Sequence, residues 1–321
     1  MLVQIALLAV GLALLVGSAS ALVRGASALA LRLGLSPLVV GLTVVAFGTS
    51  APELVVSVQA ALAGAGGIAV GNVVGSNIAN VGLILGVAAL VRPMATEPAV
   101  LRRDLPVLLV ATAVGVAVLA DGAVGRVEGA GLVAGLIAYL AWSIRTGGAP
   151  DLGVAGLDAE VPGLDAEAEG AGSALRDGLW VVAGLGGLVL GSDLFVGAAT
   201  ALAQAAGVSD AVIGLTVVAV GTSLPELATS VVAAVRGESE IAVGNVVGSN
   251  LFNVLGILGV GALVQPLAAP GLQPLDLAVM AAFAAALLPA LWTGRRLVRG
   301  EAAAFAAGYA IYVGYLVSQH G

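Results

Sequence analysis

The sequence contains no cysteine and no lysine, and its single histidine is at position 320. These absences exclude disulfide bonds, thiolate chemistry and zinc sites of the Cys/His type. The sequence also has no basic patch of the kind that binds nucleic acid, no lipidation motif and no phosphate-binding loop. It has no nucleophile and base pair and no histidine cluster, so an enzyme is not expected.

Charge is also scarce. Charged residues occupy 10% of the 321 positions, whereas soluble proteins have about a quarter. Hydrophobic residues make up 60%, and the mean hydropathy is +1.11. This composition predicts an integral membrane protein. The formal charge of -7 comes largely from one acidic segment at 151–169, so net charge does not locate a functional site.

The first 22 residues contain small residues (GSASA) at a position where a signal peptide could be cleaved. However, the stretch before them has no lysine or arginine, which a secretory signal normally carries. We therefore interpret this segment as the first membrane helix.

Apolar runs of roughly 20 residues, enough to cross about 30 Å of hydrocarbon, recur along the chain. They are continuous instead of alternating, which favours helices over the strands of a membrane barrel. We predict an all-α membrane protein with ten transmembrane helices, near residues 2–23, 37–63, 68–91, 99–120, 125–145, 175–205, 210–235, 240–264, 275–293 and 301–318.

The ten predicted helices form two groups of five, at 1–145 and 175–321. Between them, residues 146–174 are rich in Gly, Asp, Glu and Pro. A calcium-binding loop is one interpretation of these acidic residues, but the spacing of an EF-hand is absent. We favour an acidic, solvated cytoplasmic linker.

The arginines predict the orientation, because they are enriched in cytoplasmic loops. If the N-terminus is outside, about eleven of the twelve arginines lie at cytoplasmic ends or loops, and only Arg126 lies outside. Five is an odd number, so the second group must enter the membrane in the opposite sense. The two groups are therefore predicted to be inverted repeats, with both termini outside.

The two groups share a duplicated stretch, at 41–86 (GLTVVAFGTSAPELVVSVQAALAGAGGIAVGNVVGSNIANVGLILG) and at 214–259. At a constant offset of 173, about 32 of the 46 positions are identical without a gap. Each copy places one acidic residue, Glu53 or Glu226, directly after a proline in an apolar run. Inverted repeats of this kind place a substrate site near the bilayer midplane.

The prolines predict a break in each helix. Pro52 lacks the N–H that would bond the carbonyl of Gly48, and Pro225 stands in the same relation to Gly221. A plain kink is the alternative, but irregular backbone beside a carboxylate favours a wet or protein-buried cavity. The freed carbonyls would lie beside four hydroxyls, those of Thr49, Ser50, Thr222 and Ser223.

The second part of each copy, GNVVGSNIAN or GNVVGSNLFN, places more oxygen atoms in an apolar helix. Helical spacing puts Ser76 and Asn80 on one face, and Ser249 and Asn253 on the corresponding face. We favour these four as site-lining. The other amides are interpreted as helix–helix hydrogen-bonding groups, namely Asn72, Asn77, Asn245 and Asn250, and the paired glycines as close-packing positions.

Together these groups are two carboxylates, hydroxyls, amide oxygens and backbone carbonyls. Such hard oxygen ligands suit calcium better than copper or zinc. Two glutamates balance one divalent ion, and an unpaired glutamate in the bilayer costs several kcal/mol. A cation or proton is therefore expected to accompany the pair at all times, which is the physical basis for exchange.

The duplicated stretches, with GLTVVAFGTSAPEL followed by GNVVGSNIANVGLILG, resemble the two alpha repeats of the calcium/cation antiporter superfamily, in its prokaryotic sodium/calcium exchanger branch. The resemblance implies that Glu53 and Glu226 are ligands shared by calcium and sodium. It further implies that the first helix of each half, at 2–31 and 175–205, slides across the core. The adjoining sites that it implies are lined by Thr49, Ser50, Thr222, Ser223, Ser76, Ser249, Asn80 and Asn253, with the carbonyls of Ala46 and Ala219.

The same resemblance implies a multi-pass protein of the prokaryotic cytoplasmic membrane, with Ca²⁺ and Na⁺ as transported ions. Neither a prosthetic group nor an obligatory protein partner is expected. Many exchangers have Asp where this chain has Asn253, so a proton/calcium or potassium-assisted exchanger stays open as an alternative, and a passive cation channel is a third. Asp193, a further carboxylate in an apolar run, is expected to cap or pair locally and has no predicted site role.

Overall fold

The computed structural model describes residues 1–146, 174–206 and 219–320. The acidic linker predicted over 146–174 therefore lies outside the described residues, apart from its two ends.

The first half contains six helices: α1 (Leu2–Leu33), α2 (Pro37–Thr49), α3 (Ala51–Leu62), α4 (Gly66–Val91), α5 (Leu105–Leu119) and α6 (Arg126–Thr146). The described second half contains α7 (Ala174–Ala205), α8 (Ala219–Thr222), α9 (Leu224–Arg236), α10 (Ser239–Val264), α11 (Pro274–Trp292) and α12 (Arg299–His320). Four two-residue strands lie in the loops: β1 (Met94–Ala95), β2 (Ala123–Val124), β3 (Leu267–Ala268) and β4 (Arg296–Leu297).

The prediction of an all-helical membrane protein is confirmed. Seven helices of the described residues are long and apolar enough to cross a membrane, or eight if the bent pair α2 and α3 forms one span. The run predicted over 99–120 is a π-helical turn at Val100–Asp104 followed by the 15-residue α5. The run predicted over 210–235 includes 207–218, which are outside the described residues. The count of ten stays a prediction.

The first helix is longer than predicted. It continues without interruption to Leu33 and ends at Gly34, which adopts a left-handed conformation with φ of 64°. Glycine is the residue that takes this conformation without a steric penalty, so the helix ends there and not at 23.

The loops close at two opposite faces of the helix bundle. On one face β1 pairs antiparallel with β4, and the Arg92 guanidinium donates to the carbonyl of Val235 at the end of α9. On the other face β2 pairs antiparallel with β3, and Gly66, just after α3, lies against Ala268 of β3. The helix that carries Glu53 therefore leads away from the first face, and the helix that carries Glu226 leads towards it. This is the antiparallel relation expected of inverted repeats.

The most buried spans are α4 and α10, which contain the second parts of the duplicated stretch. Glycines allow α2 to approach α10 backbone to backbone. A Cβ on Gly244 would lie 2.8 Å from the carbonyl oxygen of Leu38, and one on Gly248 would lie 2.6 Å from that of Leu42. The prediction of close packing is thus confirmed for these two glycines. The segment related by the repeat, 211–215, is outside the described residues.

The two longest helices, α1 and α7, pack against each other in antiparallel fashion along their small residues. A Cβ on Gly184 would lie 2.7 Å from the backbone nitrogen of Leu22, and one on Gly25 would lie 2.8 Å from the carbonyl oxygen of Asp177. An ion pair between Arg32 and the buried carboxylate of Asp177 closes one end of this contact.

Replacing Gly184 with alanine is expected to separate α1 from α7 and to lower the stability by about 1–3 kcal/mol, as overpacking does. Gly186, on the same helix, is the matched control because a Cβ there meets nothing within 4 Å. Gly186→Ala should leave stability unchanged or raise it by up to ~1 kcal/mol. Thermal unfolding in detergent measures both, and equal melting temperatures for the two variants would contradict this packing.

Candidate functional site

Each half of the site begins at a break in a helix. In the first repeat α2 ends and α3 begins around Ser50, with φ of -83° and ψ of 4°, and the two helices are bent by 46°. In the second repeat Ser223 takes nearly the same conformation, with φ of -89° and ψ of 6°. The prolines lie two residues later, in the first turn of the following helix, where their missing N–H costs nothing. The predicted breaks are confirmed, although they are centred on the serines.

The breaks bring the two acidic residues into one buried cluster. The side chains of Glu53 and Glu226 are each 1% exposed. The Ser50 hydroxyl donates to Glu226 Oε1 at 3.0 Å, and the Ser223 hydroxyl donates to Glu53 Oε1 at 3.4 Å. Each carboxylate is therefore held by a hydroxyl of the other repeat.

The second oxygen of each carboxylate has no donor. Glu53 Oε2 and Glu226 Oε2 are both buried and without a hydrogen-bond partner among the described residues. An acceptor left in this state costs about 1–3 kcal/mol, and more when it is charged. Two such oxygens in one buried cluster call for a positively charged group or a proton to neutralise them.

Further unpartnered oxygens come from α4 and α10. Asn80 Oδ1, Asn253 Oδ1 and Ser249 Oγ are buried and accept or donate no hydrogen bond within the described part of the chain. The Asn80 amide nitrogen donates to Asn250 Oδ1 at 3.0 Å, which leaves its own oxygen free. Ser76 is buried one helical turn before Asn80. These are the four residues that helical spacing selects as site-lining.

Both asparagines lie in π-helical turns, at Asn80–Leu85 and Phe252–Ile257. Such turns are rare and occur frequently at functional sites. A π-helical turn contains an extra residue compared with an α-helical turn. Some backbone and side-chain groups therefore lose the hydrogen-bond partners that a regular α-helix would give them.

Asn72 and Asn245 join the carboxylate helices to α4 and α10. The Asn72 amide nitrogen donates to Ser57 Oγ at 2.9 Å and to the Glu53 carbonyl at 3.2 Å. Asn245 makes the same two contacts, with Ser230 Oγ at 3.0 Å and with the Glu226 carbonyl at 3.5 Å. These are helix–helix hydrogen bonds of the kind expected for these residues. Asn245 also reaches the other repeat, because its oxygen accepts the Thr49 hydroxyl at 3.1 Å.

The remaining predicted residues lie around the same breaks. Thr49 is buried, Thr222 is half-buried, and the Ala46 carbonyl accepts the Ser50 N–H at 3.0 Å. Ala219 is the first residue of α8, and its side chain is not among those described. The Ala46 carbonyl is therefore partly engaged by the backbone, whereas the prediction treats it as a freed ligand.

Ser57 and Ser230 are positioning residues that sequence reasoning overlooked. Each follows its glutamate by four residues in both copies of the repeat, so the duplication itself contained the signal. Thr229 has a buried hydroxyl with no partner in the ranges that the structure describes. It has no such signal, because Val56 takes its place in the first repeat.

Asp193 lies outside the cluster, and its side chain is exposed on α7. The neighbouring Ser192 hydroxyl donates to the Gly221 carbonyl at 2.7 Å, which fixes α7 against the second break.

The site offers oxygen atoms only, from two carboxylates, hydroxyls and amides. Within the described residues, no group of three or more Asp, Glu, His or Cys side chains could hold a metal ion. With only two charged ligands, the arrangement suits a hard cation that is bound and released more than a permanently held metal.

The model of the sodium/calcium exchanger protein family matches residues 3–145 and 178–318. The chain belongs to the sodium/calcium exchanger family. It is 35% identical to the sodium/calcium exchanger MaX1 of Methanosarcina acetivorans over 98% of both chains. It is 38% identical to the inner membrane protein YrbG of Escherichia coli, over 83% of this chain and 81% of that protein. Its fold matches the solved sodium-calcium exchanger NCX_Mj with a TM-score of 0.83, 31% identity and 98% coverage of both chains.

These matches make the protein a multi-pass membrane transporter of the exchanger family, and they support cation/calcium antiport. The family resemblance predicted from the duplicated stretches is confirmed. The two matched segments of the family model also flank the acidic region that separates the repeats.

Calcium is expected to stabilise the exchanger against thermal unfolding, because it would be coordinated by buried oxygens that have no hydrogen-bond partner among the described residues. A ligand at 100 times its dissociation constant adds about 2.7 kcal/mol. The measurement compares melting temperatures in calcium, in magnesium and in choline chloride with a chelator. Magnesium should have a smaller effect, since it needs a tighter octahedral shell. An equal calcium shift in the Glu53→Gln/Glu226→Gln double variant would contradict this ligand set.

Proposed function

We propose that this protein exchanges calcium for sodium by alternating access at a midplane site built around Glu53 and Glu226. The observation that carries the proposal is the pair of buried carboxylate oxygens, Glu53 Oε2 and Glu226 Oε2, to which no group in the described part of the chain donates a hydrogen bond. The two charges balance one calcium ion. The unpartnered oxygens of Asn80, Asn253 and Ser249 extend the set towards the six to eight ligands that calcium takes.

Sodium is the proposed counter-ion, bound by the same carboxylates and by the adjoining hydroxyls and carbonyls. The proposed ligand set is the one predicted from the sequence: Glu53, Glu226, Thr49, Ser50, Thr222, Ser223, Ser76, Ser249, Asn80, Asn253 and the carbonyls of Ala46 and Ala219. Both ions are hard cations that accept such oxygen ligands. The mechanism calls for no prosthetic group and no protein partner.

Exchange follows from the electrostatic cost of leaving the pair empty. Two unneutralised carboxylates in a low-dielectric interior repel each other and lose their hydration. One cation therefore leaves readily only when another replaces it. A passive channel would need a continuously open path, whereas both carboxylates here are 1% exposed.

Movement of α1 and α7 is the proposed route to alternating access. Helix α7 lies against both breaks: a Cβ on Gly48 would lie 2.4 Å from the Leu185 side chain, and one on Gly221 would lie 2.3 Å from the Val196 side chain. A shift of α7 along its axis would change the surroundings of both half-sites together. We propose that the face with the β1–β4 pair is cytoplasmic in a prokaryotic cell membrane, with both termini outside.

Glu53→Gln and Glu226→Gln are each expected to reduce calcium uptake to the level of protein-free vesicles, because the amide keeps the shape and removes the charge. Asp193→Asn is the matched control, a carboxylate of the membrane-spanning region that lies outside the cluster. It should retain transport. Uptake of labelled calcium by reconstituted vesicles measures all three, with folding checked by gel filtration. Normal uptake by either glutamine variant would refute the site.

The identity of the counter-ion is tested by comparing which ion gradients drive calcium uptake. Sodium-loaded vesicles diluted into sodium-free medium should accumulate labelled calcium, and sodium-free vesicles should not. Uptake driven equally well by a pH gradient or by potassium would replace sodium with a proton or potassium counter-ion. Uptake that persists with no exchangeable cation inside would identify a channel and would contradict antiport.

A further inference from the structure

A groove of about 480 Å³ lies between α11 and α12, away from the carboxylate site. Its walls are apolar over most of their length. The lining residues are Ala282, Phe283, Ala286, Pro289, Ala290, Thr293, Glu301, Ala304 and Phe305. Both helices are much less buried than α4 and α10, at 39% and 17% against 78% and 89%, so the groove opens at the surface that faces the lipid. Its shape and chemistry are those of a slot for an acyl chain.

The only polar groups that line the groove are at one end. The Thr293 hydroxyl donates to Glu301 Oε1 at 2.9 Å, and the Val298 N–H donates to Glu301 Oε2 at 3.1 Å. Both carboxylate oxygens of Glu301 are thus engaged in capping the start of α12. This end lies at the membrane surface, where the chain turns from α11 to α12.

Two arginines stand in this turn. Arg295 and Arg296 are exposed, and the described residues give neither guanidinium a hydrogen bond or an ion pair. Trp292, the last residue of α11, is 64% exposed. An exposed tryptophan with arginines is the composition of a membrane–water interface.

Some contacts of this turn recur at the turn that the internal repeat relates to it. At the related turn on the other face, Arg126 donates to the Leu263 carbonyl, as Arg299 donates to the Leu90 carbonyl. Glu128 accepts the N–H of Gly125, as Glu301 accepts that of Val298. Arg295 and Arg296 depart from this symmetry, because their counterparts at an offset of 173 are Gly122 and Ala123.

The backbone makes Arg295 the more unusual of the two. Its φ is 51°, in the left-handed region, and its counterpart Gly122 has φ of 78°. A residue with a Cβ pays about 1–2 kcal/mol there, whereas glycine does not. Within the described residues, the Arg295 guanidinium makes no hydrogen bond or ion pair that would offset this cost. Such an outlier points to a function outside the chain itself.

We propose that this groove holds an acyl chain of an anionic phospholipid whose phosphate is bound by Arg295 and Arg296. Guanidinium groups pair with phosphate oxygens in bidentate fashion. We favour a lipid over a second copy of the chain as the occupant, because the exposed Arg295 and Arg296 beside the groove complement the charge of a phosphate. Anionic lipids also concentrate at the cytoplasmic leaflet, where the arginine-rich face is proposed to lie.

The headgroup contact is tested by native mass spectrometry of the purified protein with phosphatidylglycerol or phosphatidylcholine of identical acyl chains. Wild-type protein should retain phosphatidylglycerol preferentially. Arg295→Gly/Arg296→Ala copies the residues of the related turn, so it should fold, and it should lower this preference about tenfold or more. Arg102→Gln/Arg145→Gln removes two exposed charges on the same face and is the control. Equal preference in the two variants would overturn the headgroup assignment.

The acyl-chain contact is tested separately. Ala304→Trp fills the groove, whereas Ala303→Trp places the same ring on a neighbouring exposed position that does not line it. The first variant should lose retention of both lipids, and the second should behave as wild type. Unchanged retention in Ala304→Trp would overturn the proposal. A wild-type protein that is dimeric, and that Ala304→Trp converts to a monomer without loss of lipid, would overturn it as well. These readouts do not depend on which ions are exchanged.

Discussion

Two carboxylates share one apolar interior, and each has an oxygen that receives no hydrogen bond from the described residues. Hydrogen bonds from the surrounding residues hold the two carboxylates and the helices that carry them. Helices α2 and α8 stop at serines whose hydroxyls reach across to the opposite glutamate, at 3.0 Å for Ser50 and 3.4 Å for Ser223. The amides of Asn72 and Asn245 fix the helix backbones behind the carboxylates. This arrangement leaves a cluster of oxygen atoms that the proposed cation would complete.

The symmetry of this cluster does not extend to its apolar surroundings. The rings of Phe47 and Phe252 lie 5.5 Å apart beside a cavity of about 90 Å³ that reaches Ser50. The residues at the corresponding positions of the other repeats are Val220 and Ala79. The two half-sites therefore have nearly the same polar residues but are surrounded by different apolar side chains. The difference lies in apolar side chains, which are not among the proposed ligands.

Sequence reasoning selected residues that the structure brings into one buried cluster, because the signals that select them are local. Prolines and acidic residues inside apolar runs are visible without a structure, and the duplication excludes coincidence. The break itself falls at Ser50 and not at Pro52, because proline fits the first turn of a helix. The π-helical turns at Asn80 and Phe252 were not predictable, since the hydrophobic pattern does not distinguish them from α-helix. Contacts between repeats, such as Ser50 with Glu226, depend on packing that periodicity does not encode.

The central claim is that one cation bridges the two glutamates, and crystallography of the exchanger in calcium tests it most directly, with strontium as the anomalous substitute. If one cation bridges the glutamates, a single strong anomalous peak lies within about 2.3–2.6 Å of both Glu53 Oε2 and Glu226 Oε2. This peak disappears in the Glu226→Gln variant. A peak bound by other residues, or none near this pair at saturating calcium, would contradict it.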